Sequence, residues 1–148
     1  MKFEYASTIV ENEIDLMALR TNNPIQFGIV SINGKKIGLS WATINPPEVL
    51  ECVDFQVIAI GHGTMFILIS MLDCEVFMKF GLDYDLVAIE KYDYYLFVAT
   101  ELNVLCVNLN SNSVFKIVNL PEIADSIEFR DQVLTVHCID GTVFTKRI

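Results

Sequence analysis

Apolar residues along this chain recur at every second position or in short unbroken runs, and Gly, Asn, Asp or Pro interrupts them at brief intervals. That pattern predicts short strands joined by tight turns, because helices place apolar residues at three- and four-residue spacings. Residues 25–32 and 35–43 are two such runs. They meet at Asn33-Gly34, a dipeptide suited to a type I′ hairpin turn because both central residues need positive φ. The first twenty residues are ambiguous: residues 3–10 read as a strand, while 13–20 are compatible with a short helix. Asn45-Pro46-Pro47 breaks the chain, since a residue before proline is pushed out of the helical region. Residues 48–53 then suit either one helical turn or an extended lead-in.

Beyond Pro47 a weak internal repeat emerges. VIAI-GHGT-MFILISM-LD-CEVFMKF occupies 57–80, and LVAI-EKYD-YYLFVAT-ELN-VLCVNL occupies 86–109 with VFKIV added at 114–118. SIEF-RDQ-VLTVHC-IDG-TVFTKRI closes the series at 126–148. Each unit reads as short strand, polar turn, apolar strand, tight turn, strand. Such an antiparallel meander buries each unit's apolar face against its neighbours. Between Asp54 and Asp73 lie 18 residues without formal charge, near the lower length limit of a spanning helix. Gly61-His62-Gly63-Thr64 at its centre marks two strands around a turn instead. The expected fold is therefore all-β: an antiparallel meander of about a dozen short strands in one domain, with a strand and hairpin over 1–47 and repeated units over 48–148.

The segment YYLFVATELNVLCVNLNSNSVFKIV resembles a β-propeller blade, with an apolar strand ending in Ala-Thr, a turn, and two further strands. The resemblance extends over about the last 95 residues. It carries no Trp-Asp signature, and the single tryptophan, Trp41, precedes the repeats. Three units are fewer than the four to eight blades of a closed propeller. The resemblance thus implies an open propeller-like stack, or a sandwich completed by the N-terminal hairpin.

Composition narrows the function. Asp and Glu number 19 against 10 Lys and Arg, for a net charge of −9, whereas a general nucleic-acid binder needs clustered cations to neutralise phosphates. Hydrophobic residues make up 53% of the chain, too many for a disordered one. Cys52, Cys74, Cys106 and Cys138 lie in apolar surroundings without a Cys-x-x-Cys pair. Free, buried thiols in a reducing cytoplasm are expected, as the sequence opens Met-Lys-Phe-Glu-Tyr rather than with an apolar leader.

No catalytic signature stands out. His62 falls between glycines, and His137 and Cys138 are neighbours whose side chains diverge on a strand. Asp83 and Asp85 alone make a poor cation site. No metal or cofactor is expected, and no enzyme activity.

The charge imbalance is concentrated. Residues 48–101 hold ten acids (Glu48, Glu51, Asp54, Asp73, Glu75, Asp83, Asp85, Glu90, Asp93 and Glu101) against Lys79 and Lys91. Asp83-Tyr84-Asp85 and Asp93-Tyr94-Tyr95 set tyrosines among these carboxylates. Tyr gives stiff contact area with a polar tip, and an acidic surface speeds encounter with a basic protein. The expected partner-binding residues are Asp83, Tyr84, Asp85, Asp93, Tyr94 and Tyr95, with Asp73, Glu75 and Glu101. In its small size, surplus acid, tyrosine-rich turns and lack of catalytic apparatus, the sequence resembles immunity proteins of contact-dependent inhibition and related polymorphic toxin systems. That resemblance implies a bacterial cytoplasmic protein, monomeric or weakly self-associating, bound to a basic toxin, commonly a nuclease. A propeller-like scaffold subunit that binds proteins through strand edges is the alternative.

Overall fold

The computed structural model describes residues 1–148 and is all-β, with 15 strands, two 3-10 turns and no α-helix. The N-terminal sheet holds β1 (Lys2–Ala6), β2 (Leu16–Leu19), β3 (Gln26–Ile32) and β4 (Lys35–Trp41) in the order β1-β3-β4-β2. The Asn33-Gly34 hairpin forms as expected, with φ of 49° and 75° at its two turn residues. The first strand stops at Ala6 rather than Val10.

Residues 13–20 are not a helix. A 3-10 turn takes Glu11–Glu13, and Leu16–Leu19 runs parallel to β4. Two features account for this. Leu-Met-Ala-Leu is apolar on both faces, as a strand covered on both faces requires, and Ala18 and Leu19 are buried. Asp15 also clamps the chain to the next strand: its carboxylate accepts the Lys36 N–H at 2.7 Å and its own N–H donates to the Lys36 carbonyl at 2.8 Å.

The second sheet runs β5 (Glu48–Cys52), β6 (Val57–His62), β7 (Met65–Ser70) and β8 (Val76–Gly81) in sequence order. The lead-in 48–53 is thus extended, and a 3-10 turn at Val53–Phe55 ends on Gln56 in the left-handed region. The uncharged stretch is the β6–β7 hairpin, with Gly63 at φ 54°. No helix is long and apolar enough to cross a membrane. The chain forms two compact units, and their division passes through this sheet rather than near residue 47. Unit 1 comprises Met1–Ile60 and Ile67–Lys79; unit 2 comprises Gly61–Phe66 and Phe80–Ile148.

Unit 2 contains the third sheet, β9 (Leu86–Tyr92), β10 (Tyr95–Thr100), β11 (Asn103–Asn108) and β12 (Ser113–Asn119), again in sequence order. Its fourth sheet has only three strands, β13 (Ala124–Arg130), β14 (Val133–Cys138) and β15 (Val143–Arg147). Period-two alternation builds the core between them. Phe97, Ala99, Val104 and Cys106 from one sheet meet Ile127, Leu134, Val136 and Cys138 from the other. The Phe97 and Phe129 rings stack with centroids 4.6 Å apart.

The opposite face of the fourth sheet carries Ser126, Glu128, Arg130, Thr135, His137, Thr145 and Arg147, with Val133 and Val143 among them, in register. A face this largely polar suits contact with water.

All four cysteines are free and buried, and Cys106 and Cys138 share the unit 2 core. Phe97 is the largest fully buried side chain in that core. Phe97→Ala is expected to destabilise the fold by about 3–5 kcal/mol, read as a lowered denaturant midpoint at unchanged slope.

Candidate functional site

The meander sorts charge by turn parity. Each strand reverses the chain, so every second turn of unit 2 returns to the same end. The residues before β9, the β10–β11 turn, the β12–β13 connection and the β14–β15 turn are joined there by backbone hydrogen bonds. Glu101 N–H donates to the Asp85 carbonyl at 2.9 Å, Ala124 N–H to the Glu101 carbonyl at 2.8 Å, and Ile139 N–H to the Ile123 carbonyl at 2.9 Å. These segments carry Asp83, Asp85, Glu101, Glu122 and Asp140, and Asp125 adjoins them at the start of β13. Six carboxylates therefore share one end of the unit. The strands that separate it from the other end are six or seven residues long, or roughly 20 Å.

Local structure fixes how each acid is presented. Asp83-Tyr84-Asp85 lies in an exposed bend outside any strand, so strand alternation does not separate the tyrosine from its carboxylates. Asp83 faces Lys116 at 3.9 Å, an exposed pair worth little. Glu101 sits in a turn closed by a buried polar pair: the Thr100 hydroxyl donates to Asn103 Oδ1 at 2.7 Å and accepts the Asn103 N–H at 3.1 Å. Asp125 is the extra residue of a β-bulge, since Ala124 pairs with Cys138 and Ser126 with His137. A bulge of this kind turns a side chain outward at a sheet end. The Asp140 carboxylate accepts both the Thr142 hydroxyl, at 2.6 Å, and the Thr142 N–H, at 2.9 Å. Those bonds, the hydroxyl's first, hold Asp140 below the usual carboxylate range, so it stays ionised.

The expected residues do not all assemble here. Asp93 and Tyr94 form the β9–β10 turn at the far end of the hairpin. Tyr94 and Tyr95 have ring centroids 4.3 Å apart, and Tyr95 leans on the core beside Phe97. Hydrogen bonding to Tyr94, with added burial, pushes the Tyr95 phenol up. Asp73 and Glu75 belong to unit 1, in the β7–β8 turn, where Asp73 accepts the Glu75 N–H at 3.3 Å and the Ser70 hydroxyl lowers its pKa. Glu122, Asp125 and Asp140 join the site although the sequence reading passed over them. Their signal was present: Glu122 and Asp140 lie in turns one strand pair apart, and Asp125 sits at the start of the strand that follows the first of them.

His62 ends β6 instead of occupying the turn. His137 is exposed 3.9 Å from Glu128 while Cys138 points into the core, so the two diverge as alternation requires. No group of three or more His, Cys, Asp or Glu side chains converges closely enough to hold a metal ion.

No protein-family model and no curated protein matches the chain. Among solved structures, Saccharomyces cerevisiae Sqt1 superimposes with a TM-score of 0.62 at 15% identity, covering 86% of this chain and 40% of that one. A chain of the S. cerevisiae Dbp5 structure with Nup159, Gle1, IP6 and ADP gives 0.56 at 7% identity, covering 68% and 32%. The computationally designed Ika8 protein gives 0.54 at 11%, covering 67% and 32%. The chain thus spans between a third and two fifths of each of these chains. The likeness is one of fold, and the fold is all-β and propeller-like.

Burial pushes the Cys106 thiol up to about 11. Below the unfolded thiol's pKa of 9.0 this costs nothing; as pH rises from there toward 11 the unfolded state ionises first and stability falls. An alkaline decline in melting temperature that is relieved in Cys106→Ala relative to wild type checks the assignment, as does slow labelling of native Cys106 by a thiol reagent at pH 8.

Proposed function

We propose that this protein is a binding module that takes a basic protein partner on the carboxylate-rich end of unit 2. The supporting observation is the convergence of Asp83, Asp85, Glu101, Glu122, Asp125 and Asp140 through alternate turns. Long-range attraction from such an end raises the encounter rate with a cationic surface. Tyr84, exposed among these acids, supplies a stiff aromatic contact once the surfaces meet. A nuclease toxin fits this chemistry, because a nuclease gathers Lys and Arg to hold the phosphate backbone. Carboxylates laid over that cleft would exclude the nucleic acid, and the protein would act as an immunity protein by occlusion, without chemistry of its own.

A second reading, a scaffold that assembles through strand edges, draws on the exposed apolar residues of the outer strands: Val76 and Phe77 in β8, Val114 and Phe115 in β12. It requires association that survives high salt, since apolar contact resists screening.

The test uses the immobilised protein to capture a basic partner from its native host, followed by stopped-flow association with the purified pair. Reversing Asp83, Asp85 and Asp125 to lysine should slow association about tenfold or more at low ionic strength, with the difference shrinking in high salt. Asp93→Lys, at the far end, should leave the rate within about twofold. Equal rates for the triple variant and wild type would remove the acidic end from the function. If the partner is a nuclease, its activity should vanish at a one-to-one ratio.

A further inference from the structure

In unit 1 the segments on either side of β2 fold over one face of the first sheet. The register of β3 and β4 sets Phe27 opposite Ser40 and Ile29 opposite Gly38 on that face, and Met17 of β2 lies beside Gly38. Gly38 is required there: a Cβ at that position would run into the Met17 sulfur and stand 3.2 Å from both Ile9 and Ile14. Its missing side chain lets the residues after β1 drop onto the sheet. Beside this contact the two covering segments part. They leave a cleft of about 350 Å³ walled by Ile9, Met17, Pro24 and Phe27, a volume at the lower end of small-molecule sites.

Polar groups complete the cleft. Ser40 lies at its floor, 3% exposed, and the Ser40 hydroxyl accepts the Thr21 N–H at 3.3 Å. The Thr21 hydroxyl donates to the Ser40 carbonyl at 3.3 Å, so the residues after β2 are pinned to β4. The Ser40 hydroxyl keeps its own proton as a donor within the cleft. At the rim the Arg20 guanidinium donates to Glu11 Oε1 at 2.6 Å. Their side chains are 62% and 67% exposed, and such a pair is worth little by itself. Either charge can therefore turn to a ligand at small cost. Asn22 and Asn23 close the rim, with Asn23 in the left-handed region at φ 48°.

We propose that this cleft binds a free α-amino acid with an apolar side chain. Charge complementarity selects that class. A ligand bearing only a carboxylate would meet Arg20 and be repelled by Glu11; one bearing only an amine would meet Glu11 and be repelled by Arg20. A zwitterion satisfies both. The planar fork of Arg20 takes the carboxylate through paired N–H donors, and Glu11 accepts from the ammonium. The side-chain amides of Asn22 and Asn23 can donate to the carboxylate or accept from the ammonium. Below this head group the ligand's side chain lies against Ile9, Met17 and Phe27, where apolar contact replaces water. The cleft belongs wholly to unit 1, so it stands or falls independently of the acidic end of unit 2.

The test is calorimetric titration of the full chain with L-leucine, L-methionine and L-phenylalanine. At least one should bind with a dissociation constant of about 1 mM or below. The tightest is then compared with its own amine and carboxylate analogues, each lacking one charge (for leucine, 3-methylbutylamine and 4-methylpentanoate). It should bind about tenfold or more tightly than either. Glu11→Gln and Arg20→Gln alter exposed side chains and leave the sheet intact, and each should weaken the amino acid about tenfold. Their effects on the analogues differ in sign: Glu11→Gln should take the carboxylate analogue more tightly than wild type does, and Arg20→Gln the amine. That exchange of preference separates recognition from lost structure, which weakens every ligand alike. Dissociation constants above about 1 mM for all three amino acids would overturn the proposal. So would equal affinity of wild type for the amino acid and its analogues, or unchanged affinity in both variants.

Discussion

Chain reversal is the constraint on which unit 2 depends. Each strand is five to seven residues, each turn sends the backbone back, and the side chains between turns alternate between core and water. Two consequences follow from that geometry alone. Residues on one face of a strand must be apolar wherever two sheets meet, which is why Phe97, Val104, Leu134 and Val136 are buried together. Residues in turns of equal parity gather at one end however far apart they are in sequence. Asp85 and Asp140 are separated by 55 positions and share an end, whereas Asp93 is eight positions from Asp85 and lies at the other.

That sorting gives the unit an electrical polarity which no count of acids and bases conveys. Arg130 and Arg147 flank Val133 near the far turns, and the six converging acids occupy the near ones. At physiological salt a charge is felt over roughly 8 Å, well short of the strand length, so the two ends act on a partner separately. The exposed Arg130–Asp131 and Lys116–Asp83 contacts, at 3.6 and 3.9 Å, are too weak to cancel it. Hydrogen bonding reinforces the acidic end instead, for the Thr142 bonds that lower the Asp140 pKa also pin the β14–β15 turn.

Much of the fold was legible because period-two alternation and turn chemistry are local. Asn33-Gly34, Gly63 and Asp140-Gly141 each announced a reversal that occurs, with positive φ at Asn33, Gly34, Gly63 and Gly141. What failed was set by partners distant in sequence. Leu16–Leu19 is a strand because Asp15 bonds to Lys36 and β4 offers an open edge, neither of which a window around residue 17 contains. The acidic site was half legible. A reading by linear charge density found Asp83, Asp85 and Glu101, but it included Asp93 and Tyr95 and omitted Glu122, Asp125 and Asp140. Proximity in sequence is a poor guide in a meander, where strand length rather than residue number measures distance.

The outer strands show how such a sheet protein limits its own aggregation. Val-Phe recurs in β8, β12 and β15, each time followed within three residues by a lysine: Lys79, Lys116 and Lys146. Exposed Val-Phe on an unpaired edge is an invitation to strand addition, and a nearby ammonium is a common way to refuse it. The guards are not equivalent within unit 2. Lys116 leans toward Asp83 at the end of its sheet, while Lys146 bends back to a carbonyl of β12. On β12 the lysine therefore stands at the edge of a four-stranded sheet, and on β15 it reaches across from a three-stranded one.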